Sequence, residues 1–259
     1  MKLTVPAFVA ALVLVPLVFA AQEEDVVGRF AELAKAGDTA ATVELWKKHP
    51  DATLGAIDEY LEGSLATIEQ AAQEKQAVDS KQIEEMHATA VFGALAADQA
   101  FGTTIFADYA SAFAGFDGGE QKAFRRGQGA HGEARKALKA KQFDEALKRA
   151  TECRDLAQPL GDWWGTAMGL GAMGAACEGL GKQAEALNCH AQAAQIYHDL
   201  RLTGNEYQET VAVAKLCAEL GRKPRAKVAA TRALELAKQL GDADGAKVLE
   251  ALVAKLGAK

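Results

Sequence analysis

The side chains of this 259-residue chain that could do chemistry are few, and their spacing decides what they could do. Cys189 and His190 are adjacent, and His198 lies two helical turns on, which makes this the nearest thing to a metal-binding set. On a helix, neighbouring side chains point about 100° apart. Cys189 and His190 therefore do not share one ion easily, and a structural zinc takes four closely spaced ligands. Cys189 as a nucleophile has no indicated partner base. There is no GxSxG, no phosphate-binding glycine loop, no HExxH and no CxxC; Thr103 follows Gly102, but no glycine-rich loop precedes them. No catalytic residue, metal ligand or cofactor is assigned, and an enzyme is the least favoured class. The four cysteines (Cys153, Cys177, Cys189 and Cys217) allow three full pairings that spacing does not choose among. Gly165, Gly169, Gly171, Gly174 and Gly179 fall in what reads as a helix, where each costs about 1 kcal/mol relative to Ala. Either close packing of a neighbouring helix or room for a ligand must offset that cost.

The elements that position these residues are helices in a repeat. Cys177-Glu178-Gly179-Leu180-Gly181-Lys182 returns 40 residues later as Cys217-Ala218-Glu219-Leu220-Gly221-Arg222. Asp144-Glu145-Ala146-Leu147 returns as Ala184-Glu185-Ala186-Leu187, and Leu160-Gly161-Asp162 returns after twice that interval as Leu240-Gly241-Asp242. Self-similarity at a fixed period marks a repeat architecture. Glycine past a helix end and aspartate at a helix start predict helices over 121–140, 143–160, 163–180, 183–199, 205–220, 223–240 and 243–257.

This pattern resembles the tetratricopeptide repeat family over about residues 120–259, in the long variety with units near 40 residues found in kinesin light chain-like proteins. The resemblance implies an all-α fold of helical hairpins stacked into a right-handed α-solenoid. It places small residues where helices touch: Ala134, Gly174 and Ala214 on first helices, and Ala146, Ala186, Ala226, Cys153, Ala193 and Ala233 on second helices. The family's aromatic packing positions hold Ala137, Cys177, Cys217, Ala150, His190 and Ala230 instead. Equivalent positions on stacked helices lie ~8–10 Å apart, too far for an unstrained disulfide, so free core thiols are expected.

In this family the first helix of each unit lines a concave groove that takes peptides or helices. Carried over, the groove residues are Gln128, His131 and Arg135, then Met168, Ala175 and Glu178, then Gln208, Val211, Lys215 and Glu219. Arg135, Lys215 and Lys255 fall on one row interrupted by Ala175, and a row of cations would steer an acidic partner. Trp163 and Trp164 are further candidates, since neighbours on a helix do not both face the core and Trp is enriched at binding hot spots.

The remainder of the chain reads as two segments. Residues 1–20, with Lys2, an uncharged run from Leu3 to Phe19 and small residues before Ala20, read as a signal peptide cut after Ala20 and direct the protein to an exported (periplasmic or secreted) location, with no stable membrane insertion once cut. Residues 21–117 read as an irregular helical region, with hairpin helices at 24–36 and 38–48 and longer ones at 52–78, 80–98 and 101–116; Asp117-Gly118-Gly119 bounds it. Phe92, Phe101, Phe106, Tyr109, Phe113, Phe116 and Phe124 are expected to form its core. Net charge is −13 over residues 21–120 and +6 over 121–259, without a dense basic run, which disfavours nucleic acid. The expected function is a scaffold or adaptor that holds a protein or peptide, an acidic one by the cation row, in the groove. Two other classes stay open: a sensor of a small molecule or cell-wall fragment, with a closed pocket at the glycine-rich helix and Trp163-Trp164, and a module that self-associates through its oppositely charged halves.

Overall fold

The computed structural model describes residues 19–257, and all regular structure among them is helical. Most of the expected leader, residues 1–18, lies outside the described residues. No helix of the described residues is long and apolar enough to cross a membrane.

The first five helices are α1 (Phe19–Ala36), α2 (Thr39–Lys48), α3 (Pro50–Glu74), α4 (Ser80–Phe101) and α5 (Ile105–Ala114). They form a bundle rather than a linear stack: α4 packs on α2, α3 and α5, and α1 touches α2, α3 and α4. Phe30 and Trp46 stack at its centre with ring centroids 4.9 Å apart, and the Trp46 indole donates to the Gly93 carbonyl at 3.0 Å. Gly93 carries no side chain because the Phe30 ring occupies that space.

The next seven helices are α6 (Gly118–Lys139), α7 (Phe143–Ala157), α8 (Trp163–Gly179), α9 (Gln183–Asp199), α10 (Thr203–Glu219), α11 (Lys223–Gln239) and α12 (Ala243–Gly257). Each packs on the next in chain order, as stacked hairpins of an α-solenoid do. Their boundaries fall within three residues of the spacing-based expectation. All nine small residues named for the helix contacts are buried, as are the six at the aromatic positions. Turns recur every 20 residues at Lys141, Gly161, Gly181, Arg201, Gly221 and Gly241, all with left-handed backbone. The same closing bond follows in successive units: the Lys182 amide donates to the Cys177 carbonyl and the Arg222 amide to that of Cys217, both at 2.8 Å. All four cysteines are free and buried.

Aromatic rings and ion pairs join the two parts. Phe106, Tyr109, Phe113 and Phe124 are buried, and Phe113 meets Phe124 edge-on at 5.0 Å across the Asp117 break. Leu160 and Leu200, at the ends of the solenoid's hairpins, belong to the same buried cluster. The Arg125 guanidinium on α6 bonds to Glu62 and Glu69 of α3, with Nε 2.8 Å from Glu69. Asp51, at the head of α3, accepts the Thr203 amide at 2.7 Å, supplying a cap for α10 that Leu202 lacks.

A candidate binding cleft between the bundle and the solenoid

The space where α3 and α5 meet α6, α7 and α8 is a cleft of about 250 Å³. Helical spacing puts Phe124, Gly127 and Gln128 on one side of α6, and Trp164 and Met168 one turn apart on α8. Cys153 and Ala157 of α7 close the back, and Asp58, Glu62 and Tyr109 come from the bundle. The head of α8 supplies Asp162, only 7% exposed, whose carboxylate caps the helix by accepting the Gly165 amide at 2.7 Å.

The cleft combines apolar walls with three carboxylates, two of which, Asp58 and Asp162, have no ion pair among the described residues. Tyr109 donates its hydroxyl to Asp58 at 2.5 Å. Burial pushes the Asp58 carboxyl up to about 7, against the opposing pull of that hydrogen bond, and the charges of Glu62 and Asp162 push the same way. Burial likewise raises Asp162 to about 6 despite the Gly165 amide. Glu62 is the one carboxylate of the three that a cation serves, through Arg125; it also accepts the Gln128 amide. Burial pushes the Cys153 thiol up to about 12, far from a reactive thiolate.

The residues expected from the sequence divide three ways. Gln128, Trp164 and Met168 line the cleft. His131 and Arg135 continue the same strip of α6 by helical spacing; His131 is half-buried, its Nδ1 has no hydrogen-bond partner among the described residues, and burial and Arg135 lower its pKa. Gln208, Glu219 and Lys255 are exposed on α10 and α12, with Glu219 accepting from Gln183 at 3.0 Å.

Others serve the packing. Val211 is half-buried against the cluster of Ala233, Ala237, Ala246 and Leu249. Glu178 bonds to Lys215 at 2.9 Å, so the expected row of free cations is broken: Lys215 is neutralised within the protein. Trp163 and Trp164 are both half-buried and line different recesses, Trp164 the cleft and Trp163 a more open hollow of about 510 Å³ between α7 and α9. Neither stands free in solvent.

The remaining chemical suspects are occupied. His190 is buried between Glu178, 3.1 Å from its Nε2, and Glu209 at its Nδ1. His198 contacts Glu206 and Arg232. The helical glycines make room for these partners: a Cβ at Gly171 would lie 2.6 Å from the Glu209 carboxylate and one at Gly174 would lie 2.6 Å from the His190 ring, while at Gly169 it would meet the Arg154 backbone at 2.8 Å. Among the described residues no group of three or more His, Cys, Asp or Glu side chains is placed to hold a metal ion.

No family model matches the chain and no curated protein matches it. One solved structure similar to it is the "TPR2AB-domain:pHSP90-complex of yeast Sti1", at 15% identity and a TM-score of 0.44, covering 92% of this chain and 99% of that one. That degree of likeness carries no weight for function. The assignment of an all-α solenoid of stacked helical hairpins rests on the helix order, the packing and the 20-residue turn spacing.

Proposed function

We propose that this chain is a non-catalytic binding module that holds a segment of another protein along α6, α8 and α10 and anchors it in the cleft. The observation that carries this is the cleft itself, lined by Gln128, Trp164 and Met168 of the solenoid and opening onto the strip that continues through His131 and Arg135. At about 250 Å³ it is smaller than the ~300–1,000 Å³ typical of drug-sized ligands and suits one anchoring side chain. Its partial enclosure beside Trp164 and the glycine-rich α8 also favours a second function, capture of a small molecule. Export belongs to the proposal, supported by the character of residues 1–20; the mass of the mature chain checks it.

The test is selection of binders from a displayed library of short random peptides, followed by affinity measurement on variants. Gln128→Ala and Met168→Ala should each weaken a selected peptide by about tenfold, the loss of ~1.4 kcal/mol. Val228→Ala, on the exposed face of α11, should leave affinity unchanged. Peptides that are indifferent to both cleft variants and sensitive to Val228 would overturn the proposal.

A further inference from the structure

Two helix starts 80 residues apart are built alike and differ in one atom's surroundings. Asp162 caps α8 through the Gly165 amide at 2.7 Å, and Asp242 caps α12 through the Gly245 amide at 2.9 Å. The second oxygen of Asp242 accepts the hydroxyl of Tyr207, from the preceding first helix α10, at 2.9 Å. The position equivalent to Tyr207 in the preceding first helix of Asp162 is Gly127 on α6. Asp162 Oδ2 accordingly forms no hydrogen bond among the described residues, although the residue is only 7% exposed. Gly127 and Asp162 both line the cleft. One repeat therefore fills this position with a ring and a hydroxyl donor, and the other leaves both the space and the acceptor open.

What the cleft lacks defines what would complete it: an apolar stem ending in a hydrogen-bond donor. Asp58 also faces it, and among the described residues it accepts a hydrogen bond from Tyr109 at Oδ1 and none at Oδ2. The charges that face this space are Asp58 and Glu62 from α3 and Asp162 at the head of α8, with neutral Tyr109 from α5 and Cys153 from α7. The nearby cation, Arg125 of α6, is held by Glu62 and Glu69. We infer that the cleft takes an organic cation, a primary ammonium or guanidinium, which donates to Asp162 Oδ2 and Asp58 while its stem lies among Phe124, Trp164 and Met168. This rests on the proposal that a protein segment is anchored in the cleft and narrows it: the anchor presented by the partner is basic, whereas the row of cations in the sequence pointed to an acidic one. The same chemistry could come from a Lys or Arg side chain or from a free amine.

The test uses the full chain and follows the Gly165 amide resonance, since that N–H bonds to Asp162. The probes are n-butylammonium, N-acetyl-lysine amide and N-acetyl-arginine amide, with n-butanol and N-acetyl-norleucine amide as neutral counterparts. The cations should bind and the neutral probes should not. Asp58→Asn and Asp162→Asn keep hydrogen-bonding shape, Asn being a good cap, and should each weaken cation binding about 10- to 100-fold. Gly127→Tyr, which restores the residue of the other repeat, should abolish binding without unfolding the protein, read by an unchanged thermal midpoint or a raised one. Affinity for the cations should rise with pH as Asp162 and Asp58 ionise, through about 6 and about 7. Equal binding of cationic and neutral probes, or cation binding that survives Gly127→Tyr in the folded protein, would overturn the inference. Binding of n-butylammonium without either blocked amino acid supports the cation site and assigns it to a free amine, which sinks the protein-segment proposal instead. Selected peptides that need Met168 but carry no Lys or Arg leave that proposal standing and sink this one.

Discussion

At the scale of single residues, the most heavily constrained side chain is His190. Its position in the repeat marks it as a packing residue, and it is buried, but its surroundings are ionic. Burial disfavours the charged ring; the hydrogen bonds it donates to Glu178 and Glu209 outweigh that and raise its pKa to about 9. Lys215, bonded to the same Glu178, is the other cation facing this group. Because the folded value lies above the ordinary 6.5, the ring's contribution to stability is complete below pH 6.5 and is lost as pH rises through about 9. His190→Gln should therefore cost about 3 kcal/mol near pH 6, from Glu209 left without its cation and Glu178 left with Lys215 alone. The difference from wild type should shrink steadily in denaturant titrations between pH 6.5 and 9. A gap that stays constant over that range would show that the ring acts by shape alone. The sequence disclosed the depth of His190 and not its charge, because Glu178 and Glu209 arrive from neighbouring helices. Asp58 and Asp162 were hidden for the same reason: one looks like a surface carboxylate of an amphipathic helix and the other like an ordinary cap. The clue available was the exchange of Tyr207 for Gly127 at equivalent positions, visible only once the two caps are compared atom by atom.

At the scale of elements, the helices were the most legible part of the chain. Glycine at 161, 181, 221 and 241 and aspartate at 162 and 242 mark the ends, and the boundaries followed. The 20-residue step was half concealed, because two of its six turns use Lys141 and Arg201 in the left-handed region at φ +57° and +60°. A side chain there is strained by roughly 1 kcal/mol or more. Arg201 has compensation, stacking over the Phe101 ring at 5.1 Å and donating to its carbonyl at 3.3 Å. Lys141 is exposed and makes no side-chain hydrogen bond among the described residues. Lys141→Gly should thus stabilise the protein by about 0.5–1 kcal/mol, whereas Arg201→Gly should not, since it removes the stacked guanidinium. Equal gains at both turns in thermal unfolding would show that the Arg201 contacts contribute nothing. The capping of α10 by Asp51, 152 residues away in sequence, is an element-scale contact that no local pattern announces.

At the scale of the whole molecule, the charge asymmetry of the chain is partly consumed inside it. The acidic half meets the basic half where Arg125 bridges Glu62 and Glu69, and this clamp sets α3 against α6 to form one side of the cleft. The mid-helix glycines of α8 serve packing on the side of His190 and Glu209, while Gly165 and Gly127 border the cleft. A solenoid with a bundle folded against its first units thus presents a recess that a simple stack would lack. The most direct measurement is a residue-resolved map of amide chemical shifts across the full chain as a selected peptide is added. Binding in the cleft predicts changes concentrated at Asp58–Glu62 on α3, Phe124–Arg135 on α6 and Trp164–Met168 on α8, with α9 and α11 unmoved. Changes confined to the outward faces of α9 and α11, with the cleft residues unmoved, would contradict it.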